Sequence, residues 1–574
     1  MQRTTLLPIF AGLLAFAASS SHFDWQHQLS KTIHPCQNFF KFVCNPDENR
    51  DETFVPEMFF KFKREIESSF VNYSDPIADF LREIFLTNMK DEILFKRGRK
   101  IGEDSARGKR RYAITTDARK SIFRIRDAKC CYVISDLGPK LLKIECFFTD
   151  CPAFIKGIVS GFKNLTDEDN LIKLESWKIE AKYLKENAPE TTAAQQEQAN
   201  KAIFDQSKTG PTLYPYLNVL MAKFANEKSL WIPKQMEEEL NRIGEDYIEE
   251  TVAQIQRQPW IPDVRKAKTI QSVKEIQKFL ILSEATRNPQ NIEKAIDFFV
   301  TVFEKNKGML LAQMRNGSCV LGCILTHTGE LIHQAMHSYN VKYGSSNEFL
   351  NFLTYANRQR PMYTWNAFST RDKMLIHPAL QLYMKSDLPL GLRWGTMAFV
   401  MGHEIHHSLD PTPSHLVTKA SDYLTGLPHY DQAAKCYADY YGSLGSVDPN
   451  GTVVYPNGTL KYGEGFSDVE STRVMLKVLE KSLFSGRAFK SSYSYSTYND
   501  LEWFFIGAAM INCPNRGKTD FELFELYRAN AHPRPTVRLN ALVRQLEEFS
   551  DVFRCKPGDP LYVVENQCKT FPDK

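Results

Sequence analysis

Phe399-Val-Met-Gly-His403-Glu404-Ile-His-His407-Ser-Leu-Asp410 is the most informative stretch of this 574-residue chain. Met397 to Leu409 reads as helix, with Met397, Val400 and Met401 on an apolar side that can face inward. His403 and His407 are four residues apart, so both imidazoles project from one helical face, where two nitrogens can grip a zinc ion at ~2.1 Å. The helical repeat turns Glu404 about 100° from His403, beside a metal instead of on it, where its carboxylate can take a proton from water. The competing reading is an ordinary helix carrying three surface histidines. His406 lies between the two candidate ligands and points elsewhere. His333 and His337 repeat the four-residue spacing without a following Glu, so with His327 they read as ordinary helix residues.

A catalytic zinc needs a third protein ligand and an open position. A third His in a His-x-x-Gly-x-x-His continuation is absent, because Ser-Leu-Asp-Pro-Thr-Pro follows His407. The remaining option is a carboxylate from a later helix. Tyr462-Gly-Glu464-Gly-Phe-Ser-Asp468-Val-Glu470 offers Glu464 and Asp468, four apart on one face. Glu464 can bind the metal, and Asp468 can accept the outer N–H of a ligating His and fix its tautomer.

The rest of the sequence bounds the context. Hydrophobic residues make up 43% and charged residues 24%, as expected of a globular chain that buries a large core. With 72 basic against 68 acidic residues, nothing points to a nucleic-acid partner or an acidic membrane surface. Met1-Gln-Arg3, the apolar run Leu6 to Ala18 and the small-x-small Ala15-Phe-Ala17 form a signal-peptide pattern over residues 1–18. Export to the extracellular space is therefore expected, without membrane contact once the segment is removed; an uncleaved N-terminal anchor is the alternative. The 12 Cys agree with an oxidising compartment. Five Asn-x-Ser/Thr triplets, at Asn72, Asn164, Asn316, Asn450 and Asn457, are glycan acceptor candidates.

Apolar residues at three- and four-residue steps predict amphipathic helices over 36–100, 234–252 and 273–303. Strand-like alternation is sparse, near 374–376 and 453–455. The Gly-broken basic stretch 96–112 reads as a solvated loop. The fold expectation is a mainly α protein.

In order and spacing these motifs resemble the neprilysin family of zinc metalloendopeptidases, which includes endothelin-converting-enzyme-like proteins. That family carries His-Glu-x-x-His, then Glu-x-x-x-Asp on a later helix. Upstream it has an Asn-Ala-aromatic segment, here Trp365-Asn366-Ala367-Phe368; downstream it has a His with an Arg six residues on, here His532 and Arg538. The resemblance covers roughly residues 360–570. It implies a two-lobed gluzincin with a catalytic domain over 360–574. Residues 19–359 would supply a smaller helical capping domain and segments packing on the catalytic domain. It implies one zinc per chain on His403, His407 and Glu464, with Glu404 as base, His532 as oxyanion stabiliser and Asp468 supporting a ligand. Asn366 and Ala367 would anchor an extended peptide, Arg538 would hold a substrate carbonyl, and Phe399 and Val400 would line an apolar S1′ pocket. Peptide cleavage before hydrophobic residues follows.

By the same likeness Cys36 pairs with Cys555, Cys44 with Cys513 and Cys436 with Cys568. The pairing of Cys130, Cys131, Cys146, Cys151, Cys319 and Cys323 stays open, as does the oligomeric state. The departures are specific. Gly-Phe-Ser separates Glu464 from Asp468, Ser408 follows the second His, Asn512 replaces an aromatic, Phe571 replaces a terminal Trp, and the region before 360 is short. These keep open a catalytically inactive, peptide- or receptor-binding relative.

Overall fold

The computed structural model describes residues 29–44, 54–86, 115–117, 122–126, 131–135, 143–146, 198–200, 202–203, 213–280, 287–315, 321–343, 366–370, 373–376, 380, 382–384, 388–412, 419–486, 497–513 and 518–572. The leader 1–18, the basic stretch 96–112, Asn164, Asn316, Cys130, Cys151 and Cys319 lie outside them. Helices dominate, and the buried apolar side chains form two cores.

The smaller core is built by helices that lie before residue 344. Phe62, Ile66 and Phe70 from Phe54–Val71 meet Leu217, Leu220 and Phe224 from Tyr214–Glu227, with Phe299 and Phe303 from Pro289–Arg315. The larger core gathers residues far apart in sequence. It joins the first segment (Phe39, Phe42), the long helix Lys234–Arg257 (Leu240, Ile243, Tyr247) and most apolar residues after 366. Phe39 packs edge-on against Phe549 at 4.9 Å between ring centroids. Cys36–Cys555 and Cys44–Cys513 tie that first segment to the end of the chain, and Cys436–Cys568 fastens the tail.

Two expectations need correcting. The helix expected over 273–303 is interrupted: a helix ends at Lys274, Gln277–Leu280 is a strand, and the next long helix starts at Pro289. That strand pairs in parallel with Lys373–Ile376, a partner about a hundred residues away that local periodicity cannot reveal. Strands are also less sparse than expected. Thr115–Asp117, Ile122–Arg126, Cys131–Ser135 and Lys143–Cys146 form an antiparallel four-stranded meander.

Three strands bear on the site. The sheet order is Gln277–Leu280, Lys373–Ile376, Ala367–Thr370, so Ala367–Thr370 lies at its edge among the described residues. That edge strand packs against the helix Phe399–His406.

Candidate metal centre

The helix carrying His403 starts earlier than the motif suggests and ends sooner. It runs from Leu390 after the N-cap Pro389, passes through a π-helical turn at Trp394–Ala398, and continues as Phe399–His406. His407 is its C-cap, so the expected extension to Leu409 is a turn instead. Glycines explain the early start. A Cβ on Gly391 would sit 1.9 Å from the Asp500 carbonyl oxygen, and one on Gly395 would sit 1.9 Å from that of Phe504. The helix therefore lies backbone to backbone on Asp500–Met510. Trp394, Met397, Ala398, Met401 and Ile405 are all buried, so this is a core helix with no solvated face, a rigid mount for ligands.

A second buried helix, Gly458–Phe484, brings Glu464 and Asp468 against it. Its N-cap is Asn457, whose side chain accepts the Thr459 N–H. The two imidazole Nε2 atoms of His403 and His407 lie 3.1 Å apart. Glu464 Oε2 is 3.3 Å from the first, and Oε1 is 3.7 Å from the second. Each imidazole is turned by its outer nitrogen. His403 Nδ1 lies 2.8 Å from Asp468 Oδ1, and His407 Nδ1 donates to Asp410 Oδ2 at 2.8 Å. A carboxylate at that distance demands a proton on Nδ1, which leaves a lone pair on each Nε2. Two lone pairs and a carboxylate thus converge on one point, and Glu464 Oε2 is buried there without a well-formed hydrogen bond.

Such a cluster is stable only around a positive charge. Burial alone lowers the proton affinity of His403, yet Asp468 and Glu464 reverse this and raise its pKa to about 10. The same field favours a divalent cation. His403, His407 and Glu464 are the group of His, Cys, Asp and Glu able to hold a metal among the described residues, and they fit zinc in donor type and number.

Around this centre, Glu404 is 8% exposed, and burial raises its pKa against the pull of His407 and His403. Asp468 is fully buried and takes Arg538 through two contacts, Nε to Oδ2 and Nη2 to Oδ1, both 2.7 Å. Arg538 is therefore paired with the carboxylate that holds His403, besides lying 3.8 Å from Glu464. His532 Nε2 reaches to 3.2 Å from Glu464 Oε2, and its Nδ1 lies 2.9 Å from Asn530 Oδ1. Burial, then Arg538 and His403, depress its pKa to about 4 against the pull of Glu464. Phe399 is buried with its ring 6.3 Å from that of His403, while Val400 is half-buried. Asn366 is exposed at the start of the edge strand, its Oδ1 accepting the N–H of buried Ala367 at 2.9 Å. Asn72, Asn450 and Asn457 are exposed.

His406 points away from the cluster, into the core, where it meets the Tyr247 hydroxyl. Burial, reinforced by His403 and His407, lowers its pKa to about 3, so it is neutral. Asp410 is the site residue that sequence reasoning left without a role. Its signal was position: it stands three residues after His407, just past the helix end, where a side chain can turn back onto the ring.

Residues 366–569 match the model of peptidase family M13. Over this segment the chain is similar to peptidase family M13. Neprilysin-1 of Caenorhabditis elegans is 26% identical over 187 residues, which is 32% of this chain and 24% of that protein. Membrane metallo-endopeptidase-like 1 of Mus musculus is 26% identical over 216 residues, covering 36% of this chain and 27% of that protein. The chain thus spans about a quarter of the length of these curated relatives. Two solved structures share the fold. The zinc metalloprotease Zmp1 of Mycobacterium tuberculosis has a TM-score of 0.51 at 10% identity, over 95% of this chain and 98% of that one. The Haemonchus galactose-containing glycoprotein complex has 0.52 at 13%, over 95% and 97%. The matched segment therefore sits in a mainly α fold with two hydrophobic cores, shared with these structures. Every residue of the converging cluster falls inside the matched segment.

Proposed function

We propose that this chain is an exported, zinc-dependent endopeptidase that binds one zinc per chain on His403, His407 and Glu464 and cleaves peptides on the amino side of hydrophobic residues. The observation that carries this reading is the pair of Nε2 lone pairs 3.1 Å apart, closed by Glu464 and backed by a carboxylate behind each imidazole. When bound, zinc supplies Lewis acidity toward a carbonyl and lowers the pKa of water.

The residues' own tasks follow from their surroundings. Glu404 lies on the same helix as both His ligands, buried, with a carboxylate that holds a proton more readily than usual. It is suited to take a proton from water and return it to the leaving amine. His532 extends Nε2 toward the cluster from a separate loop and is half-open to solvent; with Nδ1–H held by Asn530 Oδ1, it is the protonated ring, which Glu464 beside it favours, that presents an Nε2–H to an oxyanion on the reacting carbonyl. The edge strand Ala367–Thr370, just after Asn366, offers main-chain groups to an extended peptide, which supports binding as an added strand. Phe399 and half-buried Val400 provide apolar surface beside the ligands.

Three disulfides joining distant parts of the chain support an oxidising destination. No described helix is long and apolar enough to cross a membrane. The test is hydrolysis of a quenched fluorescent peptide library, with and without a zinc chelator. Chelator-sensitive cleavage before Phe, Leu or Ile is expected. A folded, zinc-loaded protein that cleaves nothing would instead favour a peptide-binding relative.

A further inference from the structure

Three residues before Glu464, on the same buried helix, stands a lysine that the reading above does not use. Lys461 is 3% exposed. Burial, with Arg534 nearby, lowers its pKa against the pull of Glu464. Its ammonium faces no carboxylate at bonding distance among the described contacts. It donates to three main-chain carbonyls: Tyr527 at 2.6 Å, Asn530, and His532 at 3.1 Å. Tyr527 is the last residue of the helix Asp520–Tyr527, so its carbonyl is one of the acceptors a helix leaves over. The other two belong to the loop that delivers His532.

The loop itself explains why this arrangement is more than satisfaction of polar groups. Residues 528–531 are exposed, so water can serve carbonyls there. Desolvating an ammonium for that purpose is unfavourable. What the buried ammonium adds is position. One turn of one helix presents Lys461 to the loop's backbone and Glu464 to the imidazole, whose Nε2 is 3.2 Å away. Asn530 links the two. Lys461 holds its carbonyl, and its own side chain receives both the His532 N–H and Nδ1 at 2.9 Å. Arg534, the next cation along, turns the other way, to the carbonyls of Leu444 and Gly445.

We propose that Lys461 is a positioning residue: by gathering the carbonyls of Tyr527, Asn530 and His532 onto the Glu464 helix, it sets where the His532 imidazole stands relative to the metal ligands. This rests on the endopeptidase reading for its kinetic consequence, though not for its geometry. A misplacement of about 1 Å at a catalytic group costs up to ~100-fold in rate.

The experiment is a double-mutant cycle on the zinc-loaded full chain. Lys461→Met keeps the length and removes the donors. Its kcat is expected to fall ~10- to 100-fold with KM nearly unchanged. In a His532→Ala background the same substitution should change kcat by less than about two-fold, because the group it positions is gone. Equal losses in both backgrounds, a loss confined to KM, or wild-type kcat in Lys461→Met would each overturn the proposal. If the Met variant does not fold, Lys461→Arg carries the same cycle, since it keeps a cation against the carbonyls but displaces them. A wild-type chain that cleaves no peptide sinks the endopeptidase reading instead. The positioning claim is then read from the His532 ring resonances of the zinc-loaded protein. Lys461→Met must shift them, and unchanged resonances overturn it.

Discussion

Replacing Asp468 with Asn keeps the shape of the side chain and removes one charge from the most connected carboxylate near the site. Asp468 is fully buried, accepts both Arg538 contacts at 2.7 Å, and faces His403 Nδ1 at 2.8 Å. Burial works against its ionisation, but Arg538 and His403 hold its pKa at about 2 against an ordinary 3.8. That difference alone corresponds to about 2 kcal/mol of folding stability. Breaking the pair from one side adds the penalty of a buried guanidinium whose next carboxylate, Glu464, is 3.8 Å away. The expected loss is therefore about 3–5 kcal/mol. The sign of the pH dependence follows. A depressed carboxyl pKa contributes stability above about pH 4 that is lost as pH falls toward 2, and the variant should lack that part of the acid transition. Because the same carboxylate orients His403, zinc affinity should also fall ~10- to 100-fold. Urea unfolding of chelated protein and a zinc competition titration measure the two effects. A variant within about 1 kcal/mol of wild type that binds zinc equally well would refute the claim that Asp468 organises the centre.

Other perturbations have equally definite outcomes. His532→Ala should lower kcat by ~10²- to 10³-fold while leaving zinc content unchanged, as expected for an oxyanion donor; metal analysis and steady-state kinetics check both. Gly395→Ala puts a methyl group 1.9 Å from a backbone oxygen of the neighbouring helix. It should destabilise by at least about 1–3 kcal/mol in chemical denaturation, because backbone cannot step aside as a side chain can. Replacing Cys36 and Cys555 together with Ser removes a link across 519 residues. It should lower stability by a few kcal/mol, about 2–5 for a typical native bridge, and expose the first segment to limited proteolysis.

The grouping of His403, His407 and Glu464 was legible because its spacing is written at short range. His403, Glu404 and His407 occupy two turns, and Glu464 and Asp468 another, so helical spacing alone predicts which groups share a face. What sequence could not supply was the meeting of distant parts. The strand Gln277–Leu280 looks like helix until its partner Lys373–Ile376 is known. The early start of the ligand helix depends on Gly391 and Gly395 meeting a helix a hundred residues later. The pairing of the Arg538 guanidinium with Asp468, 70 residues away, is likewise a tertiary contact that local spacing does not reveal. Lys461 carried no signal at all, because its partners are main-chain carbonyls that any sequence would offer.

The central claim is that Glu404 moves the proton while His403, His407 and Glu464 hold the metal. Glu404→Gln separates these roles, since the amide keeps the shape and cannot act as a base. Measured side by side with wild type, the variant should retain one zinc per chain and the wild-type fold, and lose peptide hydrolysis by several orders of magnitude. A zinc-loaded Glu404→Gln protein that cleaves the same peptides at a rate near wild type would contradict the account.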